Sequence, residues 1–180
     1  MRWMIASDIH GSAVYCQQLL TAYAAEKADR LLLLGDILYH GPRNALPEGY
    51  DPARTAALLN AHCADILCVQ GNCDSEVDQM VLDFPIGAAY CLLCAGGRTI
   101  FATHGHVMNL EHLPAMHPGD ILLHGHTHVQ AWEQAHGVTY VNPGSVSIPK
   151  QDSVRGYLIL TDEAFEFKAL DGRCLRREAL

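Results

Sequence analysis

Residues 2–37, RWMIASDIHGSAVYCQQLLTAYAAEKADRLLLLGDI, contain a complete strand–helix–strand passage, and its reading decides the fold class. RWMIAS is a short apolar run of the kind that forms a buried strand. In the segment that follows, Val14, Leu19, Leu20 and Tyr23 recur near helical spacing, with Ser12 placed as an N-cap. RLLLLGD is a second buried strand. A strand, a helix and a second strand in this order imply parallel pairing with the helix laid across the sheet.

Outward from this unit the alternation continues. DPARTAALLNAH reads as a second helix with Pro52 in its first turn, where the missing N–H costs nothing, and DILCVQGN as a third strand. After residue 84 the pattern changes to hairpins. AYCLLCAGGRTIFATHG turns at Gly96 and Gly97, VQAWEQAHGVTYVNPG turns at His136 and Gly137, and GYLILTDEAFEFKAL holds two strands around Asp162. These strands predict a second, largely antiparallel sheet beside the first. The class is α/β, and with no linker, repeat or low-complexity tract we expect one domain over residues 1–180. The segment LYHGPRNALPEGYDP, rich in proline and glycine between a strand and a helix, predicts a long structured rim.

With 180 residues, 49% of them hydrophobic, the chain can bury a sizeable core unaided. The net charge of -8 argues against a large phosphate-tracking surface, so extended nucleic-acid binding is not expected. Seven cysteines, an odd number with no small-domain framework, point to a reducing compartment. The opening MRWMIAS meets Asp8 and His10 too soon for a signal peptide, and no later run reaches the length of a membrane span. A cytoplasmic protein is the expectation, with a homo-oligomer left open.

The chemistry collects in five clusters, SDIHG, LGDI, QGNCD, THGH and HGHTH, each placed where a strand should end. In α/β sheets the carboxyl ends of the strands form the crevice where ligands bind, so distant residues converge there. An isolated Asp-x-His or Gly-Asp is most simply a turn. Several imidazoles buried together without a metal or acid partner would be costly, so the histidine-rich clusters carry more weight. Imidazole, carboxylate and amide donors suit Mn, Fe, Zn, Co or Ni. Cys91-x-x-Cys94 is a poor thiolate site, because residues three apart on a strand point to opposite faces and no second pair follows.

In this order the clusters resemble the calcineurin-like metallophosphoesterases, whose blocks are D-x-H, G-D, G-N-H-D/E, a later H, and G-H-x-H. HGPRNALPEGY, GNCDSEVDQM and NPGSVSIPK are similar to a narrower bacterial group, the YfcE-type phosphodiesterases. The resemblance implies a four-layer α/β/β/α sandwich of two mixed sheets. It also implies that Asp8, His10 and His128 hold one metal ion, that Asn72, His104 and His126 hold the other, and that Asp36 bridges them. His126 and His128 would face one cleft as alternate residues of an extended segment. His124, of the same parity, is read as structural.

The implied function is hydrolysis of small phosphodiesters with two divalent transition-metal ions, Mn foremost. Two such ions can lower the pKa of a shared water and clamp the phosphoryl oxygens during in-line attack. Asp36, Asn72 and His104 would hold the hydroxide and the phosphate. Arg43 and Lys150 lie on loops at the expected rim, where a solvated surface role is the simpler reading.

The sequence departs from the wider pattern at Cys73, where many relatives carry the histidine that assists the leaving group; the narrower group shares the cysteine. Asp74, which would orient that histidine, is present. Proton donation then falls to another group, with His106 and His40 as candidates. Two alternatives remain open. One is a protein-binding scaffold like the retromer subunit of this fold; the other is a phosphatase or nuclease of the same family.

Overall fold

The computed structural model describes residues 1–180. The passage at residues 2–37 forms β1 (Trp3–Ala6), α1 (Ala13–Glu26) and β2 (Arg30–Leu33), with β1 and β2 parallel. Ser12 caps α1 as expected, its Oγ accepting the Tyr15 amide. Leu19, Leu20 and Tyr23 are buried under the helix, whereas Val14 is exposed. α2 (Pro52–Asn60) is capped by Asp51, and β3 (Ile66–Cys68) pairs parallel to β2. The short helix α3 (Glu76–Gln79), closed by a Ser75–Asp78 capping box, follows.

The hairpins fall where the glycine turns place them. β4 (Tyr90–Ala95) and β5 (Arg98–Thr103) are antiparallel, as are β7 (Gln130–Ala135) and β8 (Val138–Pro143). Between them β6 (Ile121–Leu123) pairs parallel with both β5 and β8, so this five-stranded sheet is mixed rather than largely antiparallel. The remaining strands, β9 (Gly156–Leu160), β10 (Ala164–Ala169) and the unanticipated β11 (Cys174–Ala179), do not join it. They extend the first sheet, β9 running antiparallel to β1, to give the order β11-β10-β9-β1-β2-β3. Hairpin periodicity identifies the strands but carries no information about which open edge receives them.

Three apolar layers hold the sheets. Leu19, Leu31, Leu59 and Tyr157 belong to the cluster between the helices and the first sheet. Ile5, Leu32, Ile100, Leu123 and Phe165 belong to the cluster between the two sheets. A smaller cluster, Phe101, Leu122 and Val138, lies on the outer face of the second sheet, covered by Met108, Leu110, Leu113 and Met116. That fourth layer is the irregular segment 105–119, which contains no helix. The parallel strands β1, β2 and β3 of one sheet, and β5 and β6 of the other, all deliver their carboxyl ends to one side of the sandwich.

Candidate metal centre

Each cluster read from the sequence lies just past one of those strand ends. The loops after β1 and β2 continue the parallel ladder: the amides of Asp8, His10 and Gly11 donate to the carbonyls of Gly35, Asp36 and Ile37 at 3.1, 2.9 and 2.8 Å. This zipper sets the two carboxylates of Asp8 and Asp36 side by side. Asp8, His10, Asp36, His126 and His128 all take left-handed backbone, with φ of 59°, 50°, 56°, 64° and 63°. Such conformations cost about 1 kcal/mol each and gather at functional sites.

The left-handed turns correct one step of the sequence argument. β6 ends at Leu123, so His126 and His128 converge through turn geometry rather than strand alternation. His124, which alternation would aim at the same cleft, instead stacks at 4.6 Å against Tyr140, with its Nδ1 3.0 Å from the Gly125 carbonyl. Burial depresses its pKa to about 4, so it is neutral packing.

The imidazoles are oriented by backbone carbonyls. Nδ1 of His10 donates to Tyr39 O at 2.8 Å, that of His128 to Ile148 O at 2.7 Å, and that of His104 to Leu34 O at 2.7 Å. These bonds make Nδ1 the protonated nitrogen of the neutral ring, so that each Nε2 is the nitrogen aimed inward for a proton or a metal ion. The His10 and His128 Nε2 atoms are 3.2 Å apart, and Oδ1 of fully buried Asp8 lies 3.2 Å from His128 Nε2 with no hydrogen-bond partner. On the other side, His104 Nε2 faces Asn72 Oδ1 at 3.1 Å, His126 Nδ1 at 3.2 Å and Asp36 Oδ2 at 3.5 Å. Asp36 Oδ2 is also 3.7 Å from His10 Nε2, which puts this carboxylate between the two groups.

Acceptors crowded this closely need cations, either protons or metal ions. Without metal, burial works against charge on His104, but the Asp36 and Asp8 carboxylates overcome it and hold its pKa up to about 9. Burial likewise opposes ionisation of Asp8, yet its histidine neighbours keep its carboxyl well below the usual range. The nitrogen and oxygen donors fit divalent ions. Asp8, His10 and His128 form one group, Asp8, Asp36 and His104 another, and His10, Asp36 and Cys73 a third, each with its ligand atoms within 4.8 Å of one another.

Several contributors escaped the sequence reading. Asp74 is not poised toward Cys73. Its buried carboxylate accepts the amides of Asp36, Ile37 and Gly71 at 2.9, 2.8 and 2.7 Å, pinning the β2 and β3 loops together. Both oxygens thereby serve backbone amides. Gly71 and Gly125 are spacers for the acids: a Cβ on Gly71 would sit 2.2 Å from Asp36 Oδ1, and one on Gly125 2.6 Å from Asp8 Oδ2. Ser145 and Ser147, within the NPGSVSIPK block, both donate to the Asp8 carbonyl, at 2.8 and 3.1 Å.

Without metal, burial and the neighbouring Asp36 push the Cys73 thiol up to about 12, so the free thiol is neutral and not a nucleophile. Its amide donates to Asp36 Oδ1 at 2.8 Å. The exposed His106 stands with its ring 5.3 Å from that of His104, and burial beside that charge lowers its pKa, leaving it neutral at pH 7. His40 is not brought to the cleft; its ring is held between Tyr39 and Tyr50 at 4.8 and 5.2 Å. The cleft, about 420 Å³, is rimmed by Arg43 and Lys150, and the predicted rim segment supplies Gly41 through Asn44. Cys91 is partly buried and Cys94 exposed, as opposite faces of β4 require.

Comparison with known proteins agrees with this geometry. The calcineurin-like phosphoesterase superfamily domain matches residues 1–164. Phosphodiesterase YfcE of Escherichia coli (strain K12) is 45% identical over 175 residues, which span 97% of this chain and 95% of that protein. The structure of the E. coli phosphoesterase Yfce superposes with a TM-score of 0.94 at 44% identity, covering 99% of each chain. Vacuolar Protein Sorting 29 from Cryptosporidium parvum, at 18% identity and a TM-score of 0.64 over 99% of this chain and 98% of its own, shares the fold. The chain belongs to the calcineurin-like phosphoesterase superfamily.

Proposed function

We propose that this protein is a two-metal phosphodiesterase acting on a small phosphodiester, with residues 1–180 as one catalytic domain. The observation that carries the reading is the crowding of ligand atoms that only shared protons or cations can hold together: the orphaned Asp8 Oδ1, the inward Nε2 atoms of His10, His104 and His128, His126 Nδ1, Asn72 Oδ1 and Asp36 Oδ2. Asp8, His10 and His128 would hold one ion, Asn72, His104 and His126 the other, and Asp36 both. When bound, two divalent ions supply a water of lowered pKa and a clamp for the phosphoryl oxygens. Manganese suits these donors, as would Zn, Fe, Co or Ni.

The chain's own residues do the rest. Carbonyls of Leu34, Tyr39 and Ile148 take the Nδ1–H of these imidazoles and orient the rings, so that a cation displacing any proton on Nε2 meets an inward lone pair. Arg43 and Lys150 at the rim place positive charge where a phosphodiester anion enters, against the negative charge of the whole chain. With Cys73 neutral, Asp74 engaged and His106, the candidate nearest the centre, neutral at pH 7, the departing oxygen receives its proton from solvent or leaves as the anion. Substrates with stable leaving alcohols are therefore favoured. None of the helices is long and apolar enough to cross a membrane.

A manganese-reconstituted screen across phosphodiesters, phosphomonoesters, cyclic nucleotides and phosphoproteins tests the reading. Metal-dependent turnover of diesters above the other classes is expected. Preference for monoesters or phosphoproteins would reassign the chain to the phosphatases, and no turnover at full metal occupancy would leave the scaffold reading.

A further inference from the structure

A cavity of about 730 Å³ lies beside the metal cleft and has no role in holding ions. It is an apolar groove between α2 and the α3 segment, lined by Ala57, Tyr39, Tyr50, Val77 and Val81 among others. Val77 and Val81 are 67% and 52% exposed, a poor arrangement for side chains whose only task is packing. Several polar groups of the lining are already engaged: Asn60 donates to Val81 O and accepts from the Asp83 amide, and Asp78 is closed into its capping box with Ser75. With nine of its 13 lining residues hydrophobic, the groove recognises chiefly apolar shape, beside the hydroxyls of Tyr39 and Tyr50.

The groove and the cleft share a wall. Cys73 lines both, and its amide holds Asp36; Tyr39, on the groove, uses its carbonyl to hold His10. A substituent on a phosphorus placed at these ligands therefore passes over Cys73 into the groove. A thiol close against Gly41, whose Cβ would come within 3.1 Å of the sulfur, gives this passage a small neutral surface.

We infer that the groove between α2 and α3 is a specificity subsite that takes an uncharged aromatic ester group of the phosphodiester, while Arg43 and Lys150 at the cleft take its anionic phosphate. This rests on the phosphodiesterase reading above. Tyr39 and Tyr50 offer ring faces or edges to a planar group, and transfer of such a ring out of water should raise its specificity constant about tenfold or more.

The test compares Ala57→Trp, which fills the groove from an exposed position of α2, and Val77→Asp, which puts a charge on its wall, with the parent protein. Two substrates are used, bis(4-nitrophenyl) phosphate and the ring-free bis(2,2,2-trifluoroethyl) phosphate, the second followed by ¹⁹F NMR. Taking each variant-to-parent ratio cancels the difference in leaving group. The aryl ratio should fall at least tenfold further than the trifluoroethyl ratio, mainly through KM, with thermal stability and metal content unchanged. Equal losses, or no loss, on both substrates would overturn the subsite. In parallel, 2-naphthol is titrated calorimetrically into the manganese-loaded proteins. Saturable binding to the parent that Ala57→Trp abolishes is expected, and absence of binding to the parent would count against the groove. If no diester is hydrolysed, the phosphodiesterase reading fails while the naphthol titration still decides whether the groove takes an aromatic ring.

Discussion

Replacing Asp74 by alanine should damage the metal centre, although its carboxylate meets backbone amides there and none of the inward ligand atoms. Three buried amides, those of Asp36, Ile37 and Gly71, lose their acceptor at once. An unsatisfied buried donor costs about 1–3 kcal/mol, so the gross loss is about 3–9 kcal/mol. Part is returned, because burial raises the Asp74 carboxyl above its usual pKa and its removal relieves that strain. A net loss of about 4 kcal/mol follows, or about 8–16 °C in Tm for a chain of this size. Asp74→Asn keeps one oxygen for the Asp36 and Gly71 amides but turns an NH₂ toward the Ile37 amide, so it should lose about half as much. Both variants loosen the loop that carries Asp36, and metal content should fall with stability. Thermal unfolding with and without manganese, followed by elemental analysis of the folded fraction, reads both effects. A folded Asp74→Ala protein with parental Tm and metal content would refute the pinning role.

Reconstitution with manganese should saturate at two ions per chain by elemental analysis, and chelation should lower Tm; one ion or none in the folded protein would reject the binuclear centre. Asp36→Asn should lower diester turnover at least a hundredfold by weakening both ion sites, whereas His124→Gln should alter stability more than turnover; equal losses at equal occupancy would mean the roles are misassigned. Far from the site, Glu26 takes Lys168 and Arg2 at 2.6 Å and Tyr157 at 2.9 Å, tying α1 to β9, β10 and the residue before β1. Burial opposes its charge, but these donors outweigh burial and lower its pKa. The stabilisation is thus complete above the ordinary glutamate range and lost as pH falls through the lowered value. Glu26→Gln should cost about 2 kcal/mol at pH 7, and the gap from the parent in urea titrations should close in acid; a gap independent of pH would refute the assignment.

The local order of the chain was legible because its causes are local. Ser12 and Asp51 cap their helices, the turns at Gly96 and His136 close their hairpins, and the motif residues follow strand-like runs, since caps, turns and periodicity act over a few residues. The residues of the metal centre were likewise legible as types and spacings. How they converge was not: His126 and His128 reach the cleft through left-handed backbone that only the packed surroundings sustain, while His124, alike in sequence, turns away onto Tyr140.

Three further features were settled by tertiary packing. β9 to β11 join the first sheet because β1 offers an open edge, a fact about space that no periodicity records. Asp74 serves three amides from segments up to 38 residues away, so its neighbour in sequence, Cys73, gave no clue to its task. The groove arises only when α2 and the α3 segment stand apart over the cleft, leaving Val77 and Val81 uncovered. Sequence alone determined which chemistry the chain can assemble, because donor types and their strand-end positions are written residue by residue. Tertiary structure decided where each group points and what stands beside it, because orientation and adjacency are properties of contacts between segments.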